Sequence, residues 1–150
     1  MSGFVTAMVL AAGRGERMRP LSEVLPKPAL PLPEGPVVGS ALRLAAAAGA
    51  RRIVVNTWHL GALMAAAVAE VALPGVEVLL SPEPCLMGTA GGLALARDRG
   101  LLDGQGPILV LNGDGVLDLE LAPLAERHAA SGDLVTLALR PHPDPRRWSR

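Results

Sequence analysis

One cysteine, Cys85, is all that the 150-residue chain contains, so no internal disulfide can form. No Cys/His cluster has metal-ligand spacing either. Neither sign of charge is in excess: Lys plus Arg number 14 and Asp plus Glu number 14. That balance argues against holding DNA or RNA through a broad basic face. No apolar run approaches the roughly 18 residues of a membrane helix, and the first residues lack the basic start and cleavage site of a secretory signal. These absences leave the expectation of a soluble cytoplasmic domain with neither membrane nor nucleic acid as partner. Half of the residues are hydrophobic and 19% are charged, as in a packed globular chain of one ordinary domain.

Tyrosine is missing and phenylalanine occurs once, whereas there are 24 Ala, 17 Gly and 14 Pro. This is a coding bias, and it makes the exceptions conspicuous. The only lysine is Lys27, between Pro26 and Pro28. The only asparagines, Asn56 and Asn112, each close an apolar run.

Apolar runs bounded by Gly and Pro predict strands over 5–10, 52–56, 76–80, 107–111 and 134–139. Helices are expected over 37–48, ending at Gly49, and over 60–71, stopped by Pro74-Gly75. Two more are expected over 89–99, with Thr89 as a plausible N-cap, and over 119–130, with Asp118 and Glu120 near the first turn. Residues 13–36 read as a long ordered loop with one helical turn, and such a loop inside a compact domain is usually functional. Residues 140–150 read as a frayed end or as the start of something further. Strands alternating with helices imply an α/β fold: a doubly wound, mostly parallel sheet with helices on both faces. Ligands of such sheets bind beyond the carboxyl ends of the strands, where the winding reverses. The loops after the runs 5–10, 76–80 and 107–111 carry nearly all the Gly, Pro and polar residues, so the ligand is expected there.

The strongest segment is LAAGRGERMRPLSEVLPKPALP, residues 10–31. A strand entering Ala11-Ala12-Gly13-Arg14-Gly15 gives a turn whose backbone N–H groups can approach an anion unobstructed. Arg14, Arg17 and Arg19 crowd cations around it, and Lys27 adds a point charge in a proline-stiffened loop. Together they suit a polyphosphate better than the plain alternative of a turn with solvated arginines. The P-loop pattern is absent, and the dinucleotide fingerprint fails because Met18 stands where its third glycine belongs. Asp114, in Asn112-Gly113-Asp114-Gly115, is placed to hold Mg²⁺ against phosphate oxygens, although Asn-Gly-Asp-Gly is also ordinary turn chemistry. In MGTAGGL, residues 87–93, Gly88 lets backbone approach a flat ligand, while Gly91 and Gly92 serve close packing on the plainer reading. His59 and His128 read as structural or solvated, with His59 at most behind the site. Cys85 has no cationic neighbour in sequence to activate it.

LAAGRGERMRPLS, then PKPALP, GTAGG and LNGD, in that order and approximate spacing, resembles the sugar-1-phosphate nucleotidylyltransferases. The resemblance runs from Val5 to about Arg140. It implies the Rossmann-like nucleotide-diphospho-sugar transferase fold, and an enzyme that joins an NTP to a sugar 1-phosphate and releases pyrophosphate. It also implies that Gly13, Gly15 and Arg17 hold the triphosphate, that Lys27 neutralises phosphates at the reacting centre and that Asp114 ligates Mg²⁺. Ala11, Ala12 and the Gly88-Thr89 turn would contact the nucleoside, with Glu83 nearby. Arg17, Lys27 and Asp114 are thus the expected catalytic residues. The physics agrees, because the obstacle is repulsion between two polyanions and cations at the reacting centre relieve it.

Ser22 stands where the family usually has threonine, and Gly115 follows Asp114 where a larger residue is common. Family members also run on well past residue 150, where they carry much of the sugar site and a second metal-binding aspartate. The chain therefore reads as the nucleotide-binding part, residues 1–150, without the sugar-binding part, and weak nucleotide binding or none, with poor turnover, is expected of it alone. Val55-Asn56-Thr57-Trp58-His59-Leu60 fits the small bacterial branch acting on mannose 1-phosphate or N-acetylmuramate 1-phosphate, with GTP or UTP. The rivals are a molybdenum-cofactor or cytidylyl-type nucleotidyltransferase, which shares the opening motif, and a non-catalytic nucleotide-sensing module. A homo-oligomer is compatible with all of these.

Overall fold

The computed structural model describes residues 5–102 and 106–139, which fall into two compact units, 5–119 and 120–139. The first begins with β1 (Thr6–Leu10), the short helix α1 (Leu21–Val24) and a two-stranded hairpin, β2 (Pro31–Leu32) and β3 (Gly35–Pro36). It continues through α2 (Val38–Ala47), β4 (Arg52–Thr57), α3 (Gly61–Ala69), β5 (Glu77–Pro82), α4 (Gly88–Asp98) and β6 (Ile108–Asn112). The second unit contains α5 (Ala122–Ser131). Among the described residues no helix is long and apolar enough to cross a membrane.

The four longer strands form one parallel sheet in the order β5-β4-β1-β6. Successive crossovers run outward from β1 to β4 to β5, and the next returns to the far side of β1. Right-handed crossovers then require α2 and α3 on one face and α4 on the other. Side-chain alternation fits this arrangement. Met8 and Val54, neighbours in the β1–β4 register, pack with Leu93 and Ala96 of α4 and with Leu102. Ala7, Val9, Ile53 and Val55 face the other way and are as completely buried as Val38, Ala41, Leu42 and Ala45 of α2. The Ala-rich helix α2 ends where Gly49 takes φ 98° and its N–H reaches Ala46 O, a left-handed stop that a side chain would strain.

The winding reverses between β1 and β6. In the register, Ser81, Asn56, Leu10 and Asn112 form one row across the carboxyl ends of the four strands. The loops leaving this row build the site.

Most expected elements form within a residue or two of their bounds, and four expectations are corrected. Residues 13–36 are richer than a loop with one turn, holding two 3-10 turns besides α1 and the hairpin. Thr89 is the second residue of α4 and not its cap, because the helix already opens at Gly88, with Met87 in the cap position. Asp118 and Glu120 precede α5, whose start at Ala122 is set by Pro123 in its first turn. Residues 134–139 form no strand: an apolar run needs an edge to pair with, and the described residues of its unit include no other strand. Residues 140–150 lie outside the described residues.

Candidate functional site

A cavity of about 240 Å³ opens at the carboxyl ends of β1 and β6. Leu10, Ala11, Ala12 and Gly13 reach it from β1, Lys27 and Pro28 from the following loop, and Asn56 from β4. Leu86, Gly88 and Thr89 come from the β5–α4 connection, and Asn112 and Asp114 from the end of β6. All three rare residues, Lys27, Asn56 and Asn112, line this one space.

Its floor is fixed by a chain of buried hydrogen bonds. The Ala11 N–H donates to Asn56 Oδ1 at 2.7 Å, and Asn56 Nδ2 donates to Glu83 Oε1 at 2.7 Å. Glu83 Oε2 accepts the Met87 N–H at 3.0 Å, while the Glu83 N–H donates to Thr57 O at 2.7 Å. Three loops are thereby tied together beneath the cavity. Helix α4 comes close enough to seal this chain because residue 92 is glycine. A Cβ there would stand 2.7 Å from Glu83 Oε1 and 3.0 Å from Asn56 Nδ2.

The rim is charged. Lys27 sits in a 3-10 turn with Pro28 and Ala29, whose buried side chains anchor the backbone. Its Nζ reaches Asp114 Oδ2 at 2.7 Å. Asp114 is carried there by Gly113, whose N–H donates to Leu10 O and whose missing side chain would meet Val9 Cγ1 at 2.9 Å. Both partners of the ion pair are substantially exposed, at 35% and 49%, so the pair contributes little stability, about 0–1 kcal/mol. A bound anion and cation can therefore replace the two partners for each other at small cost.

Ala11, Ala12, Gly13, Lys27, Gly88, Thr89 and Asp114 thus meet on one surface. Gly15, Arg17 and Glu83 do not line it. Gly15 turns left-handed at φ 63°, and a Cβ there would stand 3.3 Å from Ser22 Cβ and 3.4 Å from Lys27 Cβ. It lets the loop fold over the Lys27 stem. Arg17 follows in an exposed 3-10 turn. Glu83 lies beneath the floor with both carboxylate oxygens used by Asn56 and Met87. Sequence reasoning left Leu10, Pro28, Asn56, Leu86 and Asn112 out of the site; the signal of the two asparagines was their rarity at the ends of apolar runs.

Among the described residues no three His, Cys, Asp or Glu side chains are grouped to hold a metal. A Mg²⁺ ion here would rest on Asp114 together with phosphate oxygens and water. That donor set is the usual one at phosphate sites, so the residues present fit the ion.

The family model described as nucleotidyl transferase matches residues 6–148. An N-acetylmuramate alpha-1-phosphate uridylyltransferase of Neisseria meningitidis is 45% identical over 115 residues, 76% of this chain and 48% of that protein. A mannose-1-phosphate guanyltransferase of Schizosaccharomyces pombe is 34% identical over 143 residues, 95% of this chain and 39% of that protein. Among solved structures, a UDP-glucose pyrophosphorylase from Acinetobacter baumannii superposes with a TM-score of 0.71 at 20% identity, covering 86% of this chain and 54% of that one. That last likeness speaks for the fold alone. The chain spans less than half the length of the two relatives.

Proposed function

The chain belongs to the nucleotidyl transferase family, and from that premise we propose that it is the nucleotide-binding part of a cytoplasmic sugar-1-phosphate nucleotidylyltransferase. The reaction joins an NTP to a sugar 1-phosphate: a phosphate oxygen of the sugar attacks the α-phosphorus, the bond to the β-phosphate breaks and pyrophosphate leaves. UTP with N-acetylmuramate 1-phosphate is the favoured pair, because the 45%-identical relative is named for it. GTP with mannose 1-phosphate is the alternative supported by the second relative.

One observation carries the reading. Backbone from Ala11–Gly13 and Gly88–Thr89, the Lys27 ammonium and the Asp114 carboxylate converge on one cavity at the switch point of a parallel sheet. In this proposal the two backbone segments flank the nucleoside, and Gly13 leaves room for the phosphates. Lys27 turns from Asp114 to the phosphates and offsets charge that grows on the departing pyrophosphate. Asp114, released from Lys27, would hold Mg²⁺, which when bound would supply neutralisation of phosphate charge. Arg17, exposed as the loop stands, reaches the triphosphate only if that loop closes over it. The incoming phosphate is already an anion, so the chain need supply no general base, only position and positive charge.

The test is pyrophosphate release by this chain with UTP or GTP and each sugar 1-phosphate, in the presence of Mg²⁺. Slow release is expected, faster with UTP and N-acetylmuramate 1-phosphate than with any crossed pair. Release that does not depend on the sugar phosphate would sink the proposal.

A further inference from the structure

A second cavity, about 270 Å³, is lined by Arg14, Arg19, Ser22, Glu23, Trp58 and His59. None of these residues lines the first cavity. The Arg14 guanidinium lies over the Trp58 ring, 4.8 Å from its centroid. The acids near the two arginines do not saturate them: Arg14 Nη1 is 3.9 Å from Glu16 Oε1 and Arg19 Nε is 3.7 Å from Glu23 Oε1. Both separations exceed hydrogen-bond length. Among the lining residues two guanidinium groups face one carboxylate, that of Glu23, while Glu16 stands outside the lining.

The rest of the wall is held in place. His59 Nε2 lies 2.7 Å from Ser22 O, and since a carbonyl only accepts, this nitrogen carries the hydrogen. Ser22 Oγ is buried without a partner among the described residues, a state that an acceptor ligand would relieve. Leu60, directly after Trp58-His59, holds φ 50°, and among the described residues it is the non-glycine residue with positive φ. Such strain in a branched side chain persists where the surroundings over-determine it, and it gathers at ligand sites.

We infer that this second cavity is a binding site for a phosphate-bearing anion, separate from the first. The two forks and the Ser22 hydroxyl supply donors suited to tetrahedral oxyanions, and the volume admits more than one phosphate group. The inference does not rest on the nucleotide reading of the first cavity, and its test keeps the two apart.

The Trp148→Phe chain retains Trp58 as its only indole, so fluorescence reports on this cavity. Inorganic pyrophosphate, titrated at constant ionic strength, is expected to give a saturable change. Lys27→Ala in that background should leave the midpoint in place, because Lys27 belongs to the first cavity. Arg14→Ala should weaken binding by about tenfold or more, and Arg19→Gln should do the same. Arg14 is half exposed, so its loss should leave the ligand-free melting curve unchanged. A signal that fails to saturate, that disappears with Lys27, or that survives both arginine changes overturns the proposal.

Discussion

Replacing Lys27 with alanine is expected to slow pyrophosphate release by about a hundred- to a thousandfold, the loss typical when one preorganised donor to a developing anion is removed. Lys27 is the chain's only lysine, its backbone is pinned by buried Pro28 and Ala29, and its ammonium already occupies the cavity rim. Folding should hardly notice, because its partner Asp114 is half exposed and that pair adds little. Lys27→Arg should recover only part of the rate, since a planar fork does not reproduce a compact ammonium in a turn this tight. Steady-state release assays alongside urea midpoints separate the two effects. A Lys27→Ala chain that keeps full rate, or that loses rate only in proportion to lost stability, contradicts the role.

Gly92→Ala is expected to lower stability by about 1–3 kcal/mol although it adds a single methyl group. The new Cβ would meet Glu83 Oε1 at 2.7 Å and Asn56 Nδ2 at 3.0 Å, and both groups are buried and bonded to each other. Either the Asn56–Glu83 bond breaks, leaving buried polar groups unpaired, or α4 lifts from the sheet. The same change at Gly115, where nothing stands within 4 Å, serves as the control and should stay within about 0.5 kcal/mol of the parent. Equal urea midpoints for the two variants would mean that the floor beneath the cavity yields freely.

What the sequence made legible was the periodic part. Apolar runs such as 5–10 and 52–56 marked the parallel strands, and the glycine and proline punctuation marked the loops at their carboxyl ends. The convergence of Gly13, Lys27, Gly88 and Asp114 followed once the sheet order was seen. The floor of the site was not legible, because it depends on pairings across 27 and 45 residues, Asn56 with Glu83 and with Ala11. No local pattern announces such a contact. Gly15 adds a packing role that no local pattern announces: its missing side chain makes room for Ser22 and Lys27. Residues 134–139 misled because hydrophobicity was present without a neighbouring edge.

The central claim is that the cavity between β1 and β6 holds a nucleoside triphosphate. Thermal unfolding of this chain with UTP, GTP, dTTP, CTP or ATP, each with and without Mg²⁺, tests it most directly. All the cavity's residues lie between Leu10 and Asp114, so binding should survive in this chain at millimolar nucleotide. At about a hundred times the Kd, the added stability is about 2.7 kcal/mol. A Mg²⁺-dependent rise in Tm with UTP or GTP is expected, and Lys27→Ala should remove it. No rise with any nucleotide, or a rise that Lys27→Ala leaves intact, would contradict it.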